Sequence, residues 1–317
     1  MKLLTLKTNQ GFGLGALVGG VVLDLNIAFE KHLGGAFDDS GGPFCLDMLS
    51  FLELGEDGLS EARKAREEAS RLLEEGGDLF REGVLFKLSD VVLAAPIPRP
   101  RKNVVCLGLN YAEHIAEGSR TRGEPPRPLP EHPIFFTKPP TAVAGPYDDI
   151  VYPRVSERLD YEVELAFVVG KKGKYINERD AYDHIAGYTV FNDISARDLQ
   201  RRHGQWYKGK SCDTFAPMGP YLVTSNEIGD PMDLDVWLKV NGETRQSSNT
   251  GNMIFSISKI LSVLSEGITM EVGDIVATGT PSGVGHSHPS GLLKVGDIVE
   301  AWIERIGAIK NKVVAET

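Results

Sequence analysis

The stretch that decides the fold is residues 159–217, LDYEVELAFVVGKKGKYINERDAYDHIAGYTVFNDISARDLQRRHGQWYKGKSCDTFAP. Within it, residues 161–169 alternate with the period of two that is typical of a β-strand. Two residues along a strand span roughly 6.6 Å and share a face, so the carboxylates of Glu162 and Glu164 can converge on one cation. A solvated strand face is the alternative, but the same face continues with apolar residues. Two carboxylates held close in a semi-apolar place repel each other unless a cation lies between them.

A third carboxylate, Asp193, follows directly after the apolar run 188–192 and precedes the loop 194–198. This position suits either a ligand at the end of a strand or a capping or turn residue. Three oxygen ligands without a nearby histidine or cysteine favour Mg²⁺, or alternatively Mn²⁺, over Zn²⁺. The sequence therefore predicts a metal site formed by Glu162, Glu164 and Asp193.

Seven segments of the chain resemble the motifs of the fumarylacetoacetate hydrolase family and occur in the family's order. They are GLNYAEHIAE (108–117), FFTKPPTAVAGP (135–146), DYEVELAFVVGK (160–171), GYTVFNDISARDLQ (187–200), GKSCDTFAPMGP (209–220), NTGNMIFSISKILS (249–262) and GDIVATGTPSGVG (273–285). The resemblance covers about residues 100–317, whereas residues 1–95 match only loosely. It implies a strand-rich α+β fold, in which a mixed β roll forms the C-terminal domain, and it implies a homodimer.

The length of 317 residues predicts one large and one small domain. A stiff Pro-rich linker, residues 95–100, marks the predicted boundary between a small α+β N-terminal domain (1–95) and the catalytic domain (96–317). We predict that the N-terminal domain contains both strands and helices, and we find no catalytic motif in its sequence. The predicted strands are 2–7, 13–18, 21–25, 84–88 and 91–94, and the predicted helices are 26–32, 45–54 and 59–75.

The composition excludes several classes of partner. The 34 basic and 44 acidic residues give a net charge of −10, which disfavours nucleic acids and anionic membranes. Cys45, Cys106 and Cys212 lack CxxC spacing and fit free thiols in a reducing compartment. The N-terminus has no signal-peptide pattern, and the apolar run 15–25 is too short and glycine-broken to span a bilayer. We therefore expect a cytoplasmic protein that acts on a small molecule.

A candidate general base lies in the segment that contains His114 and Glu117. On a helix these residues are at i and i+3 and can meet, and a carboxylate that orients a neutral imidazole makes it a base. A surface histidine beside a surface glutamate is the alternative. The resemblance implies that the pair lies on a lid over the substrate, although Gly118 stands where members commonly have methionine. The following residues, 119–133, are predicted to form a mobile loop.

Other candidates would bind the substrate or stabilise charge. Lys210, flanked by glycine and facing a carboxylate-rich site, can stabilise an oxyanion or enolate, and it matches the family's lysine in GKSxDxFxPxGP. Thr280 can hold a substrate carboxylate through its hydroxyl and backbone N–H. The resemblance places Arg197, whose planar fork suits a carboxylate, and Gln200 near the substrate, and Lys138 near the active site. The alternatives are a solvated lysine, a turn threonine, a salt-bridged arginine, a surface glutamine and an edge lysine.

Two further histidines, His286 and His288, have His-x-His spacing. They lie in the Gly/Ser/Pro-rich segment 283–291, which favours a surface loop. The family also places its metal elsewhere, so we predict no site role for either residue.

The resemblance implies a metal-dependent hydrolase that cleaves a C–C bond in acylpyruvates, such as fumarylpyruvate or acetylpyruvate, or in related β-diketo acids. In this hypothesis His114, oriented by Glu117, deprotonates a water, and Lys210 helps to hold the pyruvate-type enolate that leaves. The alternatives on the same metal site are decarboxylation of an oxaloacetate-type β-keto acid, isomerisation of a 2-hydroxydienoate, and dehydration of a sugar-derived keto acid. A non-catalytic binding module stabilised by metal is the alternative from another class.

Overall fold

The computed structural model describes residues 1–9, 11–31, 33, 46–288 and 291–317. Two ends of predicted helices, His32 and Cys45, lie outside the described residues. Cys106 and Cys212 are free thiols, as predicted.

The largest sheet is mixed and runs through most of the chain. In spatial order its strands are β4 (Leu85–Lys87), β3 (Val21–Asp24), β2 (Gly11–Val18), β1 (Lys2–Thr8), β13 (Ala216–Thr224), β11 (Ile185–Asn192), β10 (Val163–Val169), β16 (Ile275–Ala277), β5 (Val104–Gly108) and β6 (Ile134–Lys138), while β7 (Val143–Ala144) pairs with β13. Two pairs, β16 with β5 and β13 with β7, are parallel, and the other neighbours are antiparallel.

A second sheet packs against the central strands of the first. Its order is β15 (Glu243–Asn249), β14 (Asp235–Val240), β17 (Ile298–Ile303), β18 (Gly307–Ala315) and β8 (Ile150–Tyr152), and a short ribbon joins β9 (Leu159–Asp160) to β12 (Ser195–Ala196). The hairpin predicted from Asn241-Gly242 is present between β14 and β15. Both turn residues have positive φ, 52° and 83°, as a two-residue hairpin turn of this type requires.

The helices lie around these sheets. They are α1 (Leu25–Glu30), α2 (Met48–Glu53), α3 (Gly55–Glu74), α4 (Ala112–Arg122), α5 (Arg197–Arg202), α6 (Tyr207–Lys210), α7 (Ser225–Ile228) and α8 (Ile257–Leu264). Short 3₁₀ turns cover Leu88–Asp90, Pro140–Ala142, Glu178–His184, Thr250–Asn252 and Gly285–Ser287. Among the described helices, none combines the length and the apolar character that crossing a membrane would require. The strand-rich α+β prediction is confirmed.

Helix α4 is longer than the sequence predicts. The mobile loop was expected from residue 119, but the helix continues to Arg122 and ends at Gly123, which adopts the left-handed conformation at φ 65°. The loop prediction was therefore wrong for residues 119–122. A glycine one position beyond the last helical residue is a common helix stop, and here it sets the true end.

The N-terminal segment contributes strands to the same sheet that carries the predicted metal ligands. Strand β1 pairs with β13, with Leu3 opposite Leu222, and both of these side chains are fully buried. One core therefore runs from the N-terminal strands to the centre of the large sheet. The functional division at residue 95 stays a prediction.

A buried amide joins the elements around the C-terminal end of β5. Asn110 is fully buried; its Nδ2 donates to the carbonyls of Thr278 (2.8 Å) and Phe255 (3.2 Å), and its Oδ1 accepts from the backbone N–H of Phe255 (2.8 Å). The backbone carbonyl of Asn110 also accepts from the N–H of Ile254 at 2.8 Å. This residue fixes the start of α4 relative to the segment that follows β16.

The substitution Asn110→Ala should lower the free energy of unfolding by about 3 kcal/mol, because it leaves several buried backbone groups without partners. Asn103→Ala is the matched control, since the Asn103 side chain makes one exposed hydrogen bond, to Thr137 Oγ1 at 3.1 Å. We expect that control to change the stability by less than about 0.5 kcal/mol in denaturant unfolding. Equal losses in the two variants would contradict the role given to Asn110.

Candidate active site

The three carboxylates predicted to bind a metal do converge. Glu162, Glu164 and Asp193 are 5%, 2% and 0% exposed, and one carboxylate oxygen from each lies within 4.8 Å of the others. Glu164 is in β10, as predicted, but Glu162 lies in the break between β9 and β10. Its backbone N–H donates to Asn192 Oδ1 (3.0 Å), and its carbonyl accepts from the N–H of Asp193 (2.8 Å). The end of β11 therefore positions Glu162, and the strand period alone does not.

Three buried cations neutralise part of this cluster. Lys210 Nζ lies 2.6 Å from Glu162 Oε2 and 2.5 Å from Asp193 Oδ2. Lys138 Nζ lies 2.6 Å from Asp193 Oδ1. Arg197 pairs with Glu162 through Nη2, and its Nε donates to Asp160 Oδ2 at 2.8 Å. Four buried carboxylates thus face three buried cations.

Glu164 is the carboxylate that these cations leave unpaired. Among the described residues, the hydrogen bond to its carboxylate comes from the backbone N–H of Gly279, at 2.9 Å from Oε2. Burial, followed by the negative charges of Asp193 and Glu162, raises the pKa of Glu164 well above its usual value. For Glu162, burial acts in the same direction, but Arg197 and Lys210 outweigh it and hold its pKa low.

The donor set fits a hard divalent cation. It is made of carboxylate oxygens only, is closely spaced, and retains one negative charge that the protein's own cations do not balance. These are the ligands that Mg²⁺ and Mn²⁺ prefer, whereas zinc sites usually include histidine or cysteine. Glu162, Glu164 and Asp193 are therefore suited to hold one divalent metal ion.

Two of the three carboxylates, Glu162 and Glu164, line a cavity of about 800 Å³, and Asp193 lies behind them without lining it. Seven of the predicted site residues line it: His114, Glu162, Glu164, Arg197, Gln200, Lys210 and Thr280. The cavity is thus bordered by a histidine, several hydrogen-bond donors and the candidate metal ligands, a combination suited to binding and deprotonating a small polar molecule.

The His114–Glu117 pair is close but does not form a hydrogen bond. His114 Nδ1 and Glu117 Oε2 are 3.6 Å apart. Both carboxylate oxygens of Glu117 instead accept from the backbone N–H of Gly283, each at 3.0 Å. Gly283 has φ +99°, and a Cβ there would lie 2.0 Å from the carbonyl oxygen of Arg245, so this turn requires glycine. Glu117 therefore holds α4 against the loop that follows β16, and its orientation of His114 stays a prediction.

Lys138 lies beneath the cavity and does not line it. Its side chain is fully buried, and Nζ donates to the carbonyls of Ile194 (2.9 Å), Lys210 (2.6 Å) and Phe215 (2.7 Å). The ammonium group thus joins the segments that carry Asp193 and Lys210. Lys138 therefore supports the residues around the cavity, and its predicted role in substrate binding stays a prediction.

Close packing of α5 against α6 places Lys210. Gly209 has no side chain, and a Cβ there would lie 2.5 Å from the backbone nitrogen of Gln200. Glycine is therefore needed next to Lys210 for the two helices to approach. On α5, Arg197 Nη1 donates to Gln200 Oε1 at 3.2 Å, which leaves the amide hydrogens of Gln200 for another partner.

Sequence reasoning missed two positions at the site. Gln246 donates from Nε2 to Thr280 Oγ1 (2.8 Å), which leaves the threonine hydroxyl hydrogen free to donate. The prediction of a surface position was right for His288, which is exposed, and wrong for His286, whose side chain lines the cavity and is 11% exposed. Neither Gln246 nor His286 has a local pattern that reveals its role, because each acts through residues distant in sequence.

The arrangement can be compared with known proteins. Residues 103–314 match the family model described as "Fumarylacetoacetate (FAA) hydrolase C-terminal". The chain belongs to the fumarylacetoacetate hydrolase family. It is 47% identical over 270 residues to oxaloacetate tautomerase YisK of Bacillus subtilis (strain 168), which covers 84% of this chain and 86% of that protein.

Two further relatives agree with the assignment. The chain is 44% identical over 305 residues to mitochondrial oxaloacetate tautomerase FAHD2A of Bos taurus, covering 95% of this chain and 87% of the relative. The solved structure of 2-hydroxyhepta-2,4-diene-1,7-dioate isomerase from Mycobacterium marinum is 30% identical, with a TM-score of 0.70 over 100% of this chain and 99% of that one. The chain is thus an enzyme of this family, and these relatives carry the names of tautomerases and an isomerase.

Isosteric substitution of the two glutamates should shift the stability of the metal-free protein in opposite directions at pH 7. Glu164→Gln removes a buried carboxyl group whose charged form is disfavoured by burial and by the neighbouring carboxylates, and it keeps an acceptor for the N–H of Gly279, so the unfolding temperature should rise by about 2 °C or more. Glu162→Gln removes one of the two carboxylates that pair with Arg197 and one of the two that pair with Lys210, and it should lower the free energy of unfolding by about 3–5 kcal/mol. Thermal and denaturant unfolding in a chelator measure both effects.

The pH dependence gives the same test a second readout. Because the pKa of Glu164 is raised, the folded state keeps a proton that the unfolded state releases above about pH 4.5, and this group lowers stability as the pH rises. The Glu164→Gln variant should lose that decline. Glu162 acts oppositely: its stabilisation is present above about pH 4.5 and is lost as the pH falls further. Equal destabilisation by both substitutions would contradict the charge distribution described here.

Proposed function

We propose that the protein is a metal-dependent tautomerase that interconverts the enol and keto forms of oxaloacetate or closely related 2-oxo acids. The observation that carries the proposal is one cavity lined by His114 and by Glu162 and Glu164, which belong to a buried, incompletely neutralised carboxylate cluster. The names of the relatives support the reaction class. An enol–keto conversion needs one proton moved between carbon and oxygen, and no bond between heavy atoms is broken.

The metal proposed for this site is Mg²⁺, with Mn²⁺ as the alternative, held by Glu162, Glu164 and Asp193. When bound, it would supply a Lewis acid for the 2-oxo group of the substrate. The other steps belong to side chains of the chain itself.

His114 is the proposed acid–base residue. It lines the cavity on α4, and its Nδ1 is buried without a hydrogen-bond partner among the described residues. It would carry one proton between C3 and the oxygen on C2, from C3 to that oxygen when the enol forms and from that oxygen back to C3 when the keto form is restored. Glu117, 3.6 Å from Nδ1, would orient the imidazole while it holds α4 on the loop at Gly283.

Lys210 would act as a fixed positive charge. Burial alone would lower the pKa of Lys210, but Asp193 and Glu162 outweigh burial and raise it, so the group stays protonated. A protonated lysine beside the cavity stabilises the negative charge that develops on the substrate oxygen. It is thus unsuited to be the base, which leaves that role to His114.

The remaining lining residues would orient the substrate. Gln200 accepts from Arg197 through Oε1, so its amide hydrogens remain available as donors. Thr280 accepts from Gln246 through Oγ1, so its hydroxyl hydrogen also remains available. Both can donate to the C1 carboxylate of a 2-oxo acid. Arg197 is already paired with Asp160 and Glu162, so its proposed contribution is to fix Glu162 and Gln200.

Hydrolysis of acylpyruvates stays a prediction. It needs an attacking water in addition to the proton transfer, and the relatives reported above have other names. Isomerisation of a 2-hydroxydienoate is the same proton transfer across a conjugated double bond, and decarboxylation of oxaloacetate uses the same enolate. Dehydration of a sugar-derived keto acid and a purely binding role have less support. The homodimer and the cytoplasmic location also stay predictions, and one relative is named as mitochondrial.

The test of the proposal is the decay of enol-oxaloacetate absorbance in the presence of Mg²⁺ or Mn²⁺, followed together with pyruvate and CO₂. Wild-type protein should accelerate ketonisation without releasing CO₂. His114→Ala should reduce the rate by about 10²–10⁴-fold, the usual contribution of a positioned acid–base group, while metal binding is retained. His132→Ala, which alters an exposed histidine outside the cavity, is the control and should behave as wild type.

The products separate the candidate reactions. CO₂ and pyruvate from oxaloacetate would make the protein a decarboxylase, and pyruvate plus a carboxylic acid from acetylpyruvate would restore the hydrolase hypothesis. An undiminished ketonisation rate in His114→Ala would overturn the assignment of the base.

A further inference from the structure

A second imidazole in the cavity is held by its own carboxylate. His286 Nδ1 lies 3.1 Å from Asp160 Oδ2, and the backbone N–H of His286 donates to the same oxygen at 3.0 Å. The backbone N–H of Gly285 donates to Asp160 Oδ1 at 2.6 Å. A Cβ at Gly285 would lie 2.5 Å from that oxygen, so only glycine allows this approach. The ring of His286 is thus fixed at one nitrogen and at the backbone.

The carboxylate that anchors this ring is a fully buried anion. Asp160 has no exposed surface, and Arg197 Nε donates to its Oδ2 at 2.8 Å. Asp160, paired with Arg197, is therefore an acceptor that faces Nδ1 of His286, which leaves Nε2 for another partner.

The opposite nitrogen of the ring is available to a ligand. Nε2 of His286 has no hydrogen-bond partner among the described residues, and it is not among their buried unpaired atoms. The residue lines the same cavity as His114, Glu162 and Glu164. With Nδ1–H donated to Asp160, Nε2 is the nitrogen left to meet a bound molecule.

The charges around the cavity indicate what kind of ligand would bind to Nε2 of His286. Three buried cations and four buried carboxylates give 3 − 4 = −1, and a divalent metal would bring the sum to +1. That balances one substrate carboxylate. A second carboxylate needs a further partner on the cavity wall, and the imidazole of His286 lines that wall with one nitrogen left open.

We propose that His286, anchored by Asp160, binds the second carboxylate of a 2-oxo dicarboxylate through Nε2–H and so makes the site selective for dicarboxylates. This inference rests on the proposed function for the identity of the reaction. It assigns His286 to substrate binding, whereas proton transfer at carbon belongs to His114.

The exposed arginines at the cavity are the competing explanation. Arg122, Arg127 and Arg201 line its outer part and are solvent-exposed, and Arg122 is paired with Glu124 at 2.6 Å. Such side chains attract anions generally and are screened by salt. The geometry of His286 is fixed, so it would discriminate between ligands by the position of a carboxylate.

The experiment compares two unreactive ligands with the same 2-hydroxy acid end, malate with a second carboxylate and lactate without one. Their dissociation constants are measured by calorimetry on the Mg²⁺-loaded protein and its variants. In wild type, malate should bind about tenfold or more tightly than lactate, the ratio expected for one hydrogen bond to a charged group. His286→Phe should abolish the preference, and His286→Gln, which retains a donor, should restore part of it.

The matched control is His288→Phe, the same substitution at the exposed histidine two residues along the loop, which should keep the wild-type preference. Lactate affinity unchanged in His286→Phe shows that this variant is folded with its site intact. For oxaloacetate, His286→Phe should raise KM about tenfold with a much smaller change in kcat.

A malate preference that persists in both His286 variants, or disappears equally in His288→Phe, would overturn the proposal. Equal dissociation constants for malate and lactate in the wild-type protein would also overturn it. If the preference depends on His286 but no ketonisation is catalysed, the proposed function fails and the binding role of His286 stands. If ketonisation is catalysed and the preference ignores His286, only this inference fails.

Discussion

The main constraint on this structure is the mutual repulsion of carboxylates that are buried in one region of the protein. Asp160, Glu162, Glu164 and Asp193 cannot all be ionised in such a place without positive charge nearby. Arg197, Lys138 and Lys210 supply most of that charge. The remainder falls on Glu164, and this imbalance is the physical reason to place a divalent cation there.

The fold brings these charges together from separate elements. Glu164 comes from β10, Asp193 from the end of β11, Arg197 from α5, Lys210 from α6 and Lys138 from β6. Buried hydrogen bonds, such as those of Lys138 to three carbonyls, then fix the loops between them. A site held this way is preorganised, so a charged ligand can bind without rearrangement of the protein's own dipoles.

Much of the site could be predicted because its residues lie in local patterns. The glutamates near β10, the aspartate after β11 and the i, i+3 pair on α4 were all identified from spacing or from the family's motifs. Contacts between distant residues could not be. His286 meets Asp160 across 126 positions, and Glu117 meets Gly283 across 166. Local spacing also gave no sign that Lys138 would be enclosed by backbone carbonyls, or that Glu162 would sit in a break between strands.

One divalent cation is proposed to bind at Glu162, Glu164 and Asp193. The most direct measurement is anomalous X-ray scattering from crystals of the wild-type protein grown with Mn²⁺. We predict a single strong anomalous peak per chain between these three carboxylates. We expect this peak to disappear in crystals of the Asp193→Asn variant. A map with no peak at the cluster, or with its main peak elsewhere in the chain, would contradict the account.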